Sequence, residues 1–183
     1  MKTITLSDIR KPLNIRVQKN MYIGHLQDWI GFTHRYGYSI DYDVYLPSKK
    51  MNLQRPLVWT ISQKRELIIS IIKDAPIPQM TVIIHTDESG EKTFKIIDGK
   101  QRLSTMIDFI NDKFTLILFD KEYLYSDLPE DIKNVVRMYD IHFDQTYEYY
   151  NDLISDEDKI NWFRQINFAG TPQEIDHINN LLK

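Results

Sequence analysis

The spacing of apolar residues changes at Ile97, and no other feature of the sequence constrains the fold as strongly. Residues 93–97 alternate with the period of two that is typical of a strand. After Ile97, apolar residues recur at the i, i+3, i+4 and i+7 positions of an amphipathic helix, namely Leu103, Met106, Ile107 and Ile110. We therefore predict that the residues in between, 98–102, form a turn and the first turn of a helix.

A strand that passes directly into a helix leaves backbone N–H groups unpaired at the positive end of the helix dipole, and such junctions bind anions. Gly99 lacks the Cβ that would keep a phosphate from the backbone, Arg102 offers a planar fork of donors, and Lys100 adds a mobile positive charge. Gln101 is suited to orient a water or donate to a phosphate, and Asp98 to hold Mg²⁺, fix Arg102 or position a water. The alternative is an ordinary Asp-Gly turn with exposed charged neighbours.

Composition excludes several classes of protein. Hydrophobic residues make up 42% and charged residues 27% of the 183 residues, as in ordinary globular domains. The sequence has no cysteine, which excludes disulfides, thiolate metal sites and thiol chemistry. It has no apolar run near the roughly 20 residues of a membrane helix, and residues 1–8 reach an acidic side chain before any secretory apolar stretch. We expect a single domain over 1–183, located in the cytoplasm and without a membrane partner.

Charge is distributed unevenly along the chain, although the net charge is only -3. Between Lys49 and Lys73, six basic residues accompany one acidic residue, and between Asp120 and Asp158 twelve acidic residues accompany three basic ones. One basic and one acidic side would allow the molecule to present an anion to the first and stay soluble through the second. The alternative is that both segments are solvated faces without a binding role.

The clearest other elements lie between residues 60 and 97. Thr60 and Gln63 form the pattern of a capping box, and the helix that they begin ends before the prolines of 75–78. Residues 80–85 and 93–97 form a β-hairpin around a turn at 87–90. The same rules predict a strand at 15–17, a helix at 23–30, an extended segment at 40–47, a strand at 114–119, a helix at 128–138, a strand at 139–143, and helices capped by Ser155 and Thr171. Together these elements predict an α+β fold with a small mixed sheet.

Four segments resemble the motifs of one family in the expected order. Residues 96–105 (IIDGKQRLST) resemble the DGQQR signature of the domain-of-unknown-function 262 family, which includes the GmrS half of GmrSD-type restriction systems and the SspE defence proteins. Residues 54–59 (QRPLVW) are similar to its QRPYVW segment, 75–78 (APIP) to its G-x-IP element, and 163–172 to its F-x-RIN-x-G-x-P element. The resemblance covers residues 53–182 and leaves 1–50 as an N-terminal extension.

The resemblance implies a ParB/sulfiredoxin-like fold in which the strand-to-helix loop holds nucleotide phosphates. It implicates Asp98, Gln101 and Arg102 in nucleotide hydrolysis, with Asp98 the residue for a Mg²⁺ ion. The nucleotide-binding set that it implies is Arg55, Gly99, Lys100, Arg102, Ser104, Thr105 and Asn167. Asn167 keeps an alternative role, in which it only caps the preceding helix. Trp59, outside this set, either stacks on a base or packs in the core.

The sequence departs from the family pattern in two ways. Lys100 stands where the family usually has glutamine, which adds charge and changes how a water is placed. Family members that are active in restriction carry an HNH-type nuclease domain, and the sequence after the family core does not supply one. The five histidines show no paired metal-ligand spacing, so we do not expect this chain to cleave DNA with a metal by itself. The sulfiredoxin reaction is excluded because it requires a cysteine.

Three functions compete. The first is a nucleotide-binding, NTP-hydrolysing module of a DNA restriction or antiphage system that acts with a separate HNH nuclease or as a stand-alone relative. The second is a non-catalytic DNA- or protein-binding adaptor of phage or mobile-element origin, whose salt dependence would come from the basic segment 49–73. The third, a stand-alone ParB-like nuclease, ranks below both.

Overall fold

The computed structural model describes residues 15–29 and 38–168, and leaves the side chain of residue 168 undescribed. The strands are β1 (Gln18–His25), β2 (Tyr38–Asp41), β3 (Tyr45–Leu46), β4 (Met51–Asn52), β5 (Met80–Thr86), β6 (Lys92–Asp98), β7 (Leu116–Leu118), β8 (Lys121–Tyr123) and β9 (Asp140–Tyr149). The α-helices are α1 (Ile61–Ile72), α2 (Lys100–Ile110), α3 (Glu130–Arg137) and α4 (Asp156–Phe168), and a 3₁₀ helix spans Leu26–Trp29.

The central sheet has five strands in the order β1-β9-β5-β6-β2. The β5–β6 and β1–β9 pairs are antiparallel, whereas β5–β9 and β2–β6 are parallel. This is the small mixed sheet of the predicted α+β fold. Because β6 pairs with β2 and β5, its last residue, Asp98, lies at the end of a central strand, and α2 begins there.

Both faces of the sheet are covered. Val82 and Ile84 of β5 pack in a core with α1, α2 and α3, while Ile83 between them packs against α4 on the opposite face. Side chains alternate along a strand, so a strand buried on both faces consists of consecutive apolar residues, as β5 does. The sheet therefore lies between two layers of helix, and the β6–α2 junction is fixed by packing on both sides.

The predictions around this junction are confirmed. Thr60 caps α1 through a full capping box with Gln63, and α1 ends at Ile72, before the prolines. β5 and β6 form the predicted hairpin, α2 begins at Lys100, and α3 follows Pro129. Ser155 caps α4, since its Oγ accepts a hydrogen bond from the Asp158 amide at 3.1 Å.

Other predicted elements are wrong in type or extent. The predicted helix at 23–30 is instead the end of β1 and a 3₁₀ helix, and the predicted strand at 15–17 precedes β1. The predicted strand at 114–119 shrinks to Leu116–Leu118, because Phe119 has a positive φ of 50° in the turn to β8. The predicted strand at 139–143 extends to Tyr149, since β9 pairs on both sides with β1 and β5. The helix predicted after Thr171 lies outside the described residues.

No helix among residues 15–29 and 38–168 combines the length and the apolar character that crossing a membrane requires.

Candidate functional site

Gly99 links β6 to α2 in a conformation that only glycine adopts readily. Its φ is +104°, in the left-handed region, and a Cβ placed there would lie 2.4 Å from the Cγ of Met80. As the N-cap residue it provides no side-chain hydrogen bond to the start of α2, whereas Thr60 and Ser155 cap α1 and α4. The first amides of α2, like those of α3 after Pro129, therefore lack the side-chain cap that α1 and α4 have.

Asp98 and Arg102 form an ion pair across the first turn of α2. The Oδ2 of Asp98 lies 2.6 Å from the Nη2 of Arg102, and their side chains are 17% and 12% exposed. The guanidinium also donates to the carbonyl of Pro78 and, at 3.3 Å, to that of Gln79. Of the three roles predicted for Asp98, the fixing of Arg102 is the one that the geometry displays. Arg102 in this conformation is bound by protein acceptors.

Gln101 bonds to the chain before α1. Its Nε2 donates to the carbonyl of Pro56 at 2.9 Å, and its Oε1 accepts from the amides of Val58 and Trp59 at 3.2 and 3.3 Å. Gln101 thus forms three hydrogen bonds with the backbone of 56–59, a segment that no local sequence signal pairs with it.

Lys100 is paired with Asp43, in the loop between β2 and β3. Its side chain is only 9% exposed, while that of Asp43 is 55% exposed. The prediction of a mobile positive charge at Lys100 is therefore wrong: the ammonium group is held in place and its charge is balanced. The reason is a tertiary contact, because Asp43 approaches from an element far away in the sequence.

A cavity of about 550 Å³ opens at this junction. Its volume is in the range of small-molecule and cofactor sites. Its polar lining includes most of the residues that the sequence singled out: Arg55, Asp98, Gly99, Lys100, Gln101, Arg102 and Asn167. The rest of the lining is Gln54, Trp59, Leu67, Ser70, Pro76, Ile77, Pro78, Gln79 and Ile166. The predicted motifs, scattered over more than a hundred residues, thus converge on one space.

Arg55 differs from the other cations of this cavity because it forms no hydrogen bond or ion pair with any residue that the structure describes. It lies on the wall of the cavity and is partly buried. With respect to the described residues, this guanidinium would accept an anionic ligand without first breaking an internal bond. Arg55 thus differs from Arg102, whose guanidinium is already bound by Asp98, Pro78 and Gln79.

The remaining predicted residues differ in their placement. Asn167 lines the cavity, and its Nδ2 donates to the carbonyl of Phe163 at 2.7 Å, one turn earlier in α4. This hydrogen bond within α4 corresponds to the alternative role of Asn167, in which the side chain serves its own helix and not a ligand. Ser104 and Thr105 are not among the lining residues, and Thr105 is 1% exposed. One turn of helix carries these two positions away from the cavity, because successive residues are rotated by about 100°.

Two features of the site were not predicted. Gln54 is buried, and its Nε2 donates to the carbonyls of Ile96 and Ile97 at the end of β6. The carbonyls of Pro78 and Gln79 hold Arg102. Gln54 and Pro78 lie within segments that carry the family resemblance, 54–59 and 75–78, and Gln79 directly follows the second, so the motifs were the available signal. Their function in the structure is to join distant segments around the cavity.

The donor set for Mg²⁺ consists of one carboxylate, Asp98. Among the described residues, no three His, Asp or Glu side chains are grouped as metal ligands. Mg²⁺ is commonly bound through one or two carboxylates together with substrate phosphates. Asp98 fits that mode, in which the phosphates complete the coordination, and does not form a metal site made of protein groups alone.

Fold and site together define an α+β domain with a polar cavity at a strand-to-helix junction. Residues 40–183 match the profile of one protein family, described as the GmrSD restriction endonuclease, N-terminal domain. Because the match spans most of the chain, the chain belongs to this family. It matches no curated protein and no solved structure. The wider assignment to the domain-of-unknown-function 262 family and to the ParB/sulfiredoxin-like fold stays a prediction.

Proposed function

We propose that this chain is the nucleotide-binding, NTP-hydrolysing module of a DNA restriction or antiphage defence system. One observation carries the proposal: the cavity at the start of α2 is lined by helix residues that lack a side-chain cap and by Arg55, which has no partner among the described residues. Uncapped helix amides and a guanidinium are the donors that phosphate groups prefer. The family description supplies the link to restriction.

In this proposal the phosphates lie against Gly99 and the amides that follow it, and Arg55 neutralises their charge. Asp98 keeps Arg102 in place and would be the residue that holds a Mg²⁺ ion together with the phosphates. The bound ion would supply charge stabilisation for phosphoryl transfer to water. A separate HNH nuclease would be the partner that acts on DNA; among the described residues, no three His, Asp or Glu side chains are grouped as the ligands of a nuclease metal.

A second function, the non-catalytic adaptor, is favoured by a different observation. Three residues of the motif, Lys100, Gln101 and Arg102, already form internal bonds, which is the pattern expected if the motif only stabilises the fold. The DNA-binding version of this function has less support, because two cations of the basic segment 49–73 are already paired. Lys64 pairs with Asp108 at 3.3 Å, and Arg65 pairs with Glu122 at 3.4 Å. Charges that are paired internally release fewer counterions on binding DNA.

Isothermal titration of the full chain with each of the four NTPs in Mg²⁺ tests the first proposal. We expect Arg55→Ala to weaken nucleotide binding by about ten-fold or more, since a hydrogen bond to a charged group contributes roughly 1.5–3 kcal/mol. The matched control is Arg137→Ala, which removes an arginine that pairs with Glu130 and does not line the cavity. Asp98→Ala should lower turnover more than affinity.

The outcomes separate the two functions. Nucleotide binding that Arg55→Ala weakens by about ten-fold or more, with the Arg137→Ala control unaffected, supports the nucleotide module. No binding of any NTP, together with DNA binding that is indifferent to Arg55 and Asp98, supports the adaptor. A plasmid-nicking assay with Mg²⁺ covers the third candidate, a nuclease that works alone.

A further inference from the structure

Residues 54–59 carry two of the side chains that line the cavity, Arg55 and Trp59, yet they form no helix or strand. A segment without regular structure needs other bonds to keep its side chains in place. Here the amide of Gln54 donates to the carbonyl of Asp43 at 3.2 Å, and the other bonds come from two glutamine side chains. Gln54 fastens the first residue of the segment to the end of β6, and Gln101 fastens the other end to α2.

Gln101 uses both parts of its amide in this contact. Its Nε2 donates to the carbonyl of Pro56 at 2.9 Å, and its Oε1 accepts from the amides of Val58 and Trp59 at 3.2 and 3.3 Å. With two donors already directed at Oε1, both lone pairs of this oxygen are used. Gln101 therefore uses its oxygen and one of its two Nε2–H donors to hold the protein backbone.

Trp59 forms an apolar part of the same wall. It is partly buried, packs against the main core, and lines the cavity together with Pro76, Ile77 and Ile166. Arg55 lies four residues before it. A ligand that combines an aromatic ring with an anionic group would contact both side chains, the ring on Trp59 and the anion on Arg55.

We propose that Gln101 is a positioning residue: it holds segment 54–59 against α2, and in this way keeps Arg55 and Trp59 on the cavity wall where an anion with an aromatic ring binds. The inference rests on the proposed function, because the ligand of that class is a nucleotide. Gln101 affects the affinity for the ligand through the positions of Arg55 and Trp59, and not through contact with the ligand.

Tryptophan fluorescence of the full chain without ligand tests the holding role directly. The three tryptophans differ in exposure: Trp29 is 2% and Trp162 is 4% exposed, so acrylamide mainly reaches Trp59. We expect Gln101→Ala to increase acrylamide quenching, and the same substitution in a Trp59→Phe background to change nothing. Asn111→Ala is the matched control, because the Asn111 side chain also donates to a backbone carbonyl, that of Ile107 at 2.9 Å, but lies at the C-terminal end of α2 and does not line the cavity.

Titration with each NTP then tests the consequence. We expect Gln101→Ala to weaken nucleotide binding by about ten-fold, as the loss of one or two hydrogen bonds from a displaced Arg55 to the ligand would. The turnover rate at saturation should stay within about two-fold of wild type. Gln101→Glu keeps the acceptor for Val58 and Trp59 and should recover part of the affinity. Asn111→Ala, outside the cavity, should bind as wild type does.

The failure of this inference and the failure of the proposed function are distinguishable. Unchanged quenching in Gln101→Ala overturns the holding role, whether or not nucleotide binds. A lower turnover rate with unchanged affinity also overturns it, since that result means that Gln101 acts on the reacting groups. A wild-type chain that binds no NTP overturns the proposed function, while the quenching measurement still decides whether Gln101 holds the segment.

Discussion

The carboxylate of Asp98 lies 2.6 Å from the guanidinium of Arg102, four residues later in the chain. Asp98 is the last residue of β6, and Arg102 belongs to the first turn of α2, so the pair bridges the strand-to-helix junction from inside the cavity. Because Arg102 also bonds the carbonyls of Pro78 and Gln79, a single guanidinium joins β6, α2 and the segment before β5.

This junction predicts that Arg102→Lys destabilises the fold. A lysine has one compact ammonium group and cannot donate in the planar fork that serves a carboxylate and two carbonyls. We expect the free energy of unfolding in urea to fall by about 1–3 kcal/mol. Arg137→Lys is the control, since the Arg137–Glu130 pair is 38% and 63% exposed and should change stability by less than about 1 kcal/mol. Equal losses in both variants would contradict the prediction.

Gly99→Ala should cost more than Gly90→Ala, although both glycines have a positive φ. At Gly90, with φ +88°, an added Cβ meets no atom within 4 Å, so only backbone strain of about 1 kcal/mol is expected. At Gly99 the Cβ would also lie 2.8 Å from the Cβ of Met80, which cannot move without its backbone. Overpacking adds roughly 1–3 kcal/mol. The comparison is made by chemical denaturation, and similar costs at the two positions would refute it.

Neutralising Asp43 should lower the free energy of unfolding more than neutralising Lys100 does. Asp43→Asn leaves the ammonium of Lys100, whose side chain is 9% exposed, without its partner, and we expect a loss of about 1–3 kcal/mol. Lys100→Gln leaves Asp43 55% exposed and hydrated, so the loss should stay below about 1 kcal/mol. The double variant should be no less stable than Asp43→Asn alone. A double-mutant cycle at neutral pH measures all three.

The buried ion pairs of Glu148 predict that acid destabilises the fold. Its side chain is fully buried between Lys95 and Lys159, with His85 Nδ1 3.2 Å away. Burial alone would raise the pKa of Glu148, but the hydrogen bond from Lys95 and the charges of both lysines outweigh it and hold the pKa below the ordinary 4.5. A carboxylate with a lowered pKa stabilises the fold above the ordinary value, and this stability is lost as the pH falls through the folded value.

We therefore expect the urea midpoint of wild type to drop as the pH falls below about 4.5. Glu148→Gln should be less stable at pH 7 by about 3–5 kcal/mol, because it leaves buried cations without their carboxylate, and its stability should vary less below pH 5. Glu157→Gln, an exposed change at the start of α4, is the control. Parallel pH profiles for wild type and Glu148→Gln would exclude the buried pair as the cause.

Local signals in the sequence predicted the elements around the site. The capping box at Thr60, the prolines after α1 and the change of period at Ile97 all act within a few residues, and each predicted element formed. The edge strand β1 was missed because its pairing partner, β9, lies more than a hundred residues away. Its register is interrupted by bulges near Asn20 and Gly24, which have positive φ values and break the alternation.

The sequence by itself determined where the β6–α2 junction lies and which residue types surround it, because period, capping and glycine conformation are local properties of the chain. Only the tertiary structure decided what those side chains do. The partners of Arg102, Gln101 and Lys100 are Pro78, Pro56 and Asp43, which lie 24, 45 and 57 positions away. Folding brings these distant groups together, and the contacts bind three polar residues of the motif and leave Arg55 to face the cavity.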